Sequence, residues 1–230
     1  MESSVLVVGA GLGLSASIAR LFAREGMSVA LASRNIDKLN IIVSETKASL
    51  HQCDAGNLED VKQLFSELDE SIGTPDIVIY NPSAFVRGPI QELDPKETKD
   101  AINITCYGAF LVAQQASKRM LERGHGSIFF TGATAGVKAF ANSSVFAMGK
   151  FGLRGLAQSL ARELHPKNIH IGHFVIDGGI RTLHPSKQQD SGNDNTLDPD
   201  AIAETYLHFH RQHRSAWSWE IELRPWIESF

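Results

Sequence analysis

The segment Val5-Leu6-Val7-Val8-Gly9-Ala10-Gly11-Leu12-Gly13-Leu14-Ser15 decides the fold. Its four apolar residues predict a buried β-strand, and residues 15–25 then carry apolar side chains at helical spacing. Glycines between a strand and a helix allow a tight turn, where backbone N–H groups and the helix N-terminus attract a phosphate. This context predicts a dinucleotide site, with a purely structural turn as the alternative. The expected contacts are Gly9, Gly11, Leu12, Gly13 and Leu14.

The same alternation of short apolar runs and longer helical patterns continues along the chain. Strands are predicted at 5–8, 28–32, 48–52, 76–80, 126–130, 170–176 and 219–223. Helices are predicted at 15–25, 37–45, 58–72, 96–123, 144–164 and 200–213. Because these strands are apolar throughout, we expect a parallel sheet covered by helices on both faces. The predicted fold is α/β, a single Rossmann-type doubly wound domain spanning residues 1–230.

One segment departs from this alternation. Residues 185–199 are rich in Ser, Gln, Asn, Asp and Gly, and a further helix and strand pattern follow them. A long loop in a compact domain is often functional. We therefore predict a mobile substrate loop at 183–199, with a disordered excursion as the alternative.

Composition and charge exclude several classes of function. The 230 residues include 22 Lys and Arg against 26 Asp and Glu, a net charge of −4 that is too mild for nucleic acid or an anionic membrane. No apolar run approaches the roughly 18 residues of a membrane span. No basic segment precedes the first strand, so we expect a cytoplasmic protein. Cys53 and Cys106 are expected to be free thiols.

The residues after the second strand bear on the choice of dinucleotide. Proteins that prefer NAD place an acid near this point to bind the ribose 2′-hydroxyl. Here the chain has Ser33 and Arg34, and the guanidinium of Arg34 suits a 2′-phosphate. The sequence therefore favours NADP(H) over NAD(H), with a solvated surface arginine as the alternative.

The chain resembles the short-chain dehydrogenase/reductase family over nearly its whole length. Of that family's T-G-x-x-x-G-x-G motif, Gly9 and Gly13 match, while Val8 and Ser15 replace the Thr and the last Gly. Further matches are the adenine-contacting pair Asp54-Ala55, Asn81 of the N-N-A-G motif, and Gly178, Ile180 and Thr182 of the P-G-x-[IV]-x-T segment, in which Asp177 replaces the Pro. The resemblance implies that these residues bind the cofactor.

The family's chemistry uses Asn, Ser, Tyr and Lys, and the match here is partial. Asn103 and Lys150 match, whereas the Ser and Tyr positions hold Ala133 and Phe146. The resemblance implies that Lys150 also binds the nicotinamide ribose. As alternatives, Asn103 could bend its helix or lie in an interface, and Lys150 could be a surface lysine of its helix. Phenylalanine has no ionisable proton, and positioned proton transfer is typically worth about 10²–10⁴ in rate.

Another group would have to supply the proton. The hydroxyl candidates by local sequence are Thr131, Thr134, Ser143 and Ser144. Tyr80 could also point at the nicotinamide, although ordinary packing is the favoured interpretation for Tyr80, Tyr107 and Tyr206. The nine histidines suggest no metal, because His170 and His173 point to opposite faces of a strand and no Cys–His spacing fits zinc.

Two functions stay open. The first is an NADP(H)-dependent oxidoreductase that moves hydride to or from a small apolar carbonyl, enone or imine substrate with an altered proton donor. The second is a non-catalytic NADP(H)-binding sensor or partner protein. The predicted pocket walls suggest an apolar ligand, because they contain Phe85, Val86, Val137, Phe140, Phe146 and Leu183.

The resemblance also implies a homodimer or homotetramer. Trp217 and Trp226 are expected either in a subunit interface or in the core of one chain.

Overall fold

The computed structural model describes residues 3–181 and 195–227. Its strands are β1 (Ser4–Val8), β2 (Ser28–Ser33), β3 (Ser49–Gln52), β4 (Ile77–Tyr80), β5 (Gly126–Thr131), β6 (Ile169–Ile176), β7 (Gly179–Ile180), β8 (Thr196–Leu197) and β9 (Glu220–Leu223). Its helices are α1 (Leu14–Arg24), α2 (Asn40–Thr46), α3 (Leu58–Ser71), α4 (Pro95–Ile102), α5 (Gly108–Arg123), α6 (Ser144–Leu164) and α7 (Pro199–His210). Every predicted strand is present with ends shifted by a few residues, and so is every predicted helix except the one at 96–123, which is divided into α4 and α5.

Seven strands form one parallel sheet in the order β3-β2-β1-β4-β5-β6-β9. Side chains of alternate strand residues enter two separate cores, because neighbouring residues of a strand face opposite sides. One core, which includes Leu6 and Val8, is completed by α3, α5 and α6. The other includes Val5 and Val7 and is completed by α1, α2 and α7. The predicted fold class, a doubly wound parallel sheet with helices on both faces, is confirmed.

The predicted helix at 96–123 is interrupted. Residues Asn103–Tyr107 form a π turn between α4 and α5. The Tyr80 hydroxyl donates a hydrogen bond to the carbonyl of Ile104, and a Cβ on Gly108 would lie 2.6 Å from the carbonyl oxygen of Ala55. The interruption therefore depends on contacts with neighbouring strands and loops, which helical periodicity does not encode.

The C-terminal part contains the tryptophans. Trp217 stacks on His170 with ring centroids 4.5 Å apart, so it packs within one chain, whereas Trp226 is 82% exposed. The homodimer or homotetramer stays a prediction. Of the predicted substrate loop at 183–199, residues 183–194 lie outside the described residues. In the described part, no helix is both long and apolar enough to cross a membrane.

Candidate active site

The candidate site lies where strand order reverses, at the carboxyl ends of β1 and β4. Open α/β sheets bind ligands at this switch point. Two cavities of about 810 and 610 Å³ meet there and share Asn81, Ser83 and Phe85 in their walls. We call them the Arg34 cavity and the Lys150 cavity after a residue that lines each one.

The glycine turn begins at the end of β1 with a strained residue. Gly9 has φ +78°, and a Cβ there would lie 2.6 Å from the Pro82 ring. The N–H groups of Gly9 and Ala10 both donate to the carbonyl of Ala32. These two N–H groups are therefore occupied within the protein, although Gly9 lines the Arg34 cavity.

The following residues of the turn are open. No acceptor within the described residues takes the N–H groups of Gly11, Leu12 or Gly13, and a Cβ on Gly11 or Gly13 would meet nothing within 4 Å. Leu14 begins α1, and its side chain is buried in the core. The turn thus offers backbone donors at a helix N-terminus, although these four residues do not line either cavity.

The turn is tied to β4 through side chains. Asn81 donates from Nδ2 to the Ser15 hydroxyl at 2.7 Å, and this hydroxyl in turn donates to the carbonyl of Gly9 at 3.3 Å. Ser15, which replaces the last glycine of the family motif, thereby links Asn81 to the turn.

The Arg34 cavity brings together most of the predicted nucleotide contacts. Its walls include Gly9, Ser33, Arg34, Asp54, Ala55, Asn81 and Asn103. Lys38 also lines it, in a 3-10 turn (Asp37–Leu39) before α2, and was not predicted from the sequence. Helical periodicity gave no signal for it, because Arg34 lies in the loop after β2 and does not share a helix with Lys38. In the part of the chain that the structure describes, neither cation has a carboxylate within salt-bridge distance.

Lys150 lies at the floor of the Lys150 cavity and is 2% exposed. Its ammonium donates a hydrogen bond of 2.7 Å to the carbonyl of Thr131, at the end of β5. Burial disfavours the charged amine and lowers the pKa of Lys150 to about 8. The surface alternative for this lysine is therefore wrong.

Two aromatic residues, Phe146 and Phe85, line the same cavity as Lys150. The ring of Phe146 lies one helical turn before Lys150, with its centroid 5.8 Å from Nζ. Phe85 meets Phe146 edge-on, with centroids 4.9 Å apart. Ala133 lines the same cavity.

The four hydroxyl candidates differ in availability. Thr131 shares a hydrogen bond with the hydroxyl of Tyr206, and Thr134 donates to the carboxylate of Asp177. Ser144 has a buried Oγ without a partner among the described residues, and it does not line the Lys150 cavity. Ser143 lines that cavity and accepts a hydrogen bond from Arg87.

The tyrosines do not face the Lys150 cavity. Tyr80 and Tyr206 are fully buried, and their hydroxyls contact Ile104 and Thr131. Tyr107 is 47% exposed and stacks on Phe110. The idea that Tyr80 points at a nicotinamide is wrong, because its hydroxyl hydrogen bonds to the interrupted helix; the packing interpretation is confirmed for Tyr80 and Tyr206.

Asn103 begins the π turn and lines the Arg34 cavity, not the Lys150 cavity. Its Nδ2 donates to the carbonyl of Gly56 at 3.1 Å. The side chain therefore connects the helix interruption to the loop that carries Asp54 and Ala55.

The segment after β6 closes the Lys150 cavity. Gly178 and Ile180 line it, and Thr182 lies outside the described residues. Asp177, which replaces the family proline, pairs with Arg224 at 2.9 Å. The replacement is thus an ion pair and not an exposed acid.

The Lys150 cavity is less apolar than the sequence predicted. Arg87 lines it and has no carboxylate partner among the described residues. Of the predicted apolar residues, Phe85, Phe140 and Phe146 line this cavity, Val86 lines the Arg34 cavity, and Leu183 lies outside the described residues. The apolar ligand stays a prediction, and Arg87 adds a cation to this wall that was not predicted.

The histidines form no metal cluster. No group of three or more His, Cys, Asp or Glu within residues 3–181 and 195–227 could hold an ion. His170 contacts Phe209 and Trp217, whereas His173 hydrogen bonds to Glu220. Cys53 and Cys106 are free thiols.

Comparisons with known proteins agree with this geometry. The model of the short chain dehydrogenase family matches residues 3–191. The chain belongs to this family. A short-chain dehydrogenase from Rhodopseudomonas palustris is 34% identical, with a TM-score of 0.85 over 97% of this chain and 99% of that one. The sepiapterin reductase of Chlorobaculum tepidum is 29% identical over 98% of this chain and 97% of its own.

A third comparison concerns the fold. The alcohol dehydrogenase of Thermococcus sibiricus, solved in complex with 5-hydroxy-NADP, superposes with a TM-score of 0.88 over 100% of this chain and 99% of that one. The two sequences are 21% identical, so this comparison supports the fold alone.

Proposed function

We propose that this short-chain dehydrogenase binds NADP(H) across the two cavities and transfers hydride to or from a small carbonyl, enone or imine. The observation that carries the cofactor choice is the pair of cations, Arg34 and Lys38, which line the Arg34 cavity without a carboxylate partner among the described residues. A 2′-phosphate is a dianion near neutral pH, and charge-assisted hydrogen bonds to arginine are strong. The NADP analogue in the Thermococcus sibiricus enzyme agrees with this choice.

The proposed cofactor contacts extend from the Arg34 cavity to the Lys150 cavity. The free N–H groups of Gly11, Leu12 and Gly13 would hold the pyrophosphate. Asp54 and Ala55 would contact adenine. Lys150, Gly178, Ile180 and Thr182 would hold the nicotinamide half. When bound, NADPH would supply the hydride.

The proposed site is atypical because Ala133 and Phe146 occupy the Ser and Tyr positions of the family. Phe146 cannot donate a proton, so the proton must come from elsewhere. Ser143 is the favoured hydroxyl of the four, because it lines the cavity and accepts from Arg87, which leaves its own proton for a substrate oxygen. The ammonium of Lys150, with a pKa of about 8, is a second source of a proton at neutral pH.

A second function is favoured by one contact. The Phe85–Phe146 pair occupies space beside Lys150, as it would in a protein that binds NADP(H) without turnover. Such a protein would act as a sensor or as a partner subunit. The ammonium of Lys150 favours catalysis instead, because with a pKa of about 8 it can supply a proton as well as bind the cofactor.

An NADPH oxidation screen separates the two functions. Purified protein is incubated with NADPH and with panels of ketones, enones and imines, and absorbance at the reduced nicotinamide band is followed. Turnover that the Lys150→Ala variant loses supports the oxidoreductase. Tight NADPH binding with no turnover in any panel supports the sensor, and the absence of NADPH binding contradicts both.

A further inference from the structure

The wall of the Lys150 cavity contains a cation that hydride transfer does not require. Arg87 lies in the loop after β4, and its Nε donates to the Ser143 hydroxyl at 3.0 Å. Its guanidinium also lies over the ring of Phe85, 5.5 Å from the centroid. Gly88, the next residue, donates its N–H to the carbonyl of Asn142 at 2.9 Å. The arginine is thus held in place by a hydroxyl, a ring and its own backbone.

Among the described residues, no carboxylate forms an ion pair with Arg87. Among the described residues that line the Lys150 cavity, the ionisable ones are Arg87 and Lys150, and neither Asp nor Glu is present. Ser143 precedes α6, a helix of 21 residues, and its side chain does not cap the helix N–H groups. The positive end of that helix adds to the positive potential near Arg87.

The position of Arg87 separates it from the proposed nucleotide contacts. Arg34 and Lys38 line the Arg34 cavity, and Arg87 does not. The glycine turn begins at Gly9, which lines the Arg34 cavity and not the Lys150 cavity. A nucleotide phosphate on the N–H groups of that turn leaves the terminal nitrogens of Arg87 for a different anion.

We infer that the Lys150 cavity takes a substrate with a carboxylate, which Arg87 binds, on an apolar or aromatic body that packs against Phe85 and Phe146. A planar guanidinium fits a carboxylate through two parallel hydrogen bonds, which gives direction as well as affinity. The rings of Phe85, which is 64% exposed, and Phe146 offer an apolar surface for the body of the substrate. The inference rests on the proposed function, of which it names the substrate class.

A matched pair of probes tests this assignment. The full-length protein is titrated by calorimetry with 3-phenylpropanoate and with 3-phenylpropanamide, which share the apolar body and differ in charge. Each titration is made without a nucleotide and with saturating NADP⁺. We expect the acid to bind about tenfold or more tightly than the amide, as a charged hydrogen bond would give.

Three variants test whether Arg87 causes the preference for the acid over the amide. Arg87→Gln is expected to bring the two dissociation constants within about twofold, whereas Arg87→Lys, which keeps the charge and loses the fork, retains part of the preference. Lys138→Gln is the matched control, because Lys138 lies over the Phe140 ring but does not line the cavity. It is expected to keep the full preference.

The outcomes are distinct. Equal binding of acid and amide by the wild-type protein would overturn the inference, as would an acid preference that survives in Arg87→Gln, or no binding of the acid at millimolar concentration. A loss of NADP⁺ affinity in Arg87→Gln with unchanged probe binding would assign Arg87 to the nucleotide instead. If NADP⁺ does not bind at all, the proposed function fails, and the titrations without nucleotide still decide whether the cavity selects carboxylates.

Discussion

The Arg34 cavity and the Lys150 cavity lie side by side at one edge of the sheet, and they differ in what their walls contain. Two cations, Arg34 and Lys38, line the Arg34 cavity without a carboxylate partner among the described residues, and the open glycine turn follows Gly9, which also lines it. Fixed positive charge and backbone N–H groups are what phosphate binding uses. The Lys150 cavity contains a buried lysine, but the ring of Phe146 stands one helical turn before it.

The difference shows that phosphate binding and proton transfer depend on different kinds of residues. Binding a phosphate uses backbone N–H groups and fixed positive charge, which many side-chain changes leave intact. Proton transfer uses one ionisable group at one place, so a single substitution removes it. Under the proposed function, this chain keeps the groups that bind a phosphate and uses a different group for proton transfer.

The largest expected effect comes from restoring the hydroxyls. Ala133→Ser combined with Phe146→Tyr should raise the rate of ketone reduction by about 10²–10⁴, because a phenol beside Lys150 can transfer a proton. The rate of NADPH oxidation measures it. Phe146→Leu is the control, which removes the ring without adding a hydroxyl. If the double variant still binds NADPH but its rate of NADPH oxidation is unchanged, this site differs from that of the family in more than the two hydroxyls.

The next effect concerns the Arg34 cavity. Arg34→Gln and Lys38→Gln should each weaken NADPH binding by about 10-fold or more, since a hydrogen bond to a charged group is worth roughly 1.5–3 kcal/mol. NADH binding should change little. Nucleotide fluorescence titrations give both constants. Lys47→Gln, a lysine outside the cavity walls, is the control. Parallel losses for NADPH and NADH would remove the 2′-phosphate assignment.

A pH dependence tests the Lys150 cavity. Burial lowers the pKa of Lys150 to about 8, so its amine is charged below that pH and neutral above it. A reduction that draws on this charge should slow by about tenfold per pH unit as pH rises beyond 8. The carbon-13 NMR shift of the Lys150 ε-carbon, identified with Lys150→Arg, gives the midpoint directly. A lysine that stays protonated to pH 10 contradicts this account.

The smallest effect separates two glycines of one turn. Gly9→Ala places a Cβ 2.6 Å from Pro82 at φ +78°, whereas Gly11→Ala places one in open space. Strain of this kind costs on the order of 1–3 kcal/mol, or several degrees in Tm. Thermal unfolding should show that loss for Gly9→Ala alone. Gly11→Ala should keep its Tm and bind NADPH less tightly; equal Tm values for both variants would contradict the geometry.

Much of the fold could be predicted from sequence, because apolar runs and helical periodicity are local signals. The predicted helix at 144–164 coincides with α6, for example. The π turn at Asn103–Tyr107 could not be predicted, since it depends on Tyr80 and on the close approach of Gly108 to Ala55. Those partners are distant along the chain.

Some residues of the candidate site could likewise be predicted from the sequence, and others could not. Arg34 and Lys150 could be found from their spacing to motifs. Arg87 could not, because its contact with Ser143 joins residues 56 positions apart and depends on the path of two loops. The pattern of apolar residues predicted an apolar pocket and contained no sign that one loop cation would line it.

The most direct test of the central claim is the affinity of the unmodified protein for NADPH and for NADH. Both are titrated into the same preparation at fixed ionic strength, and binding is followed by nucleotide fluorescence. Arg34 and Lys38 predict that NADPH binds at least about tenfold more tightly than NADH. Equal affinities, or tighter binding of NADH, would contradict the account.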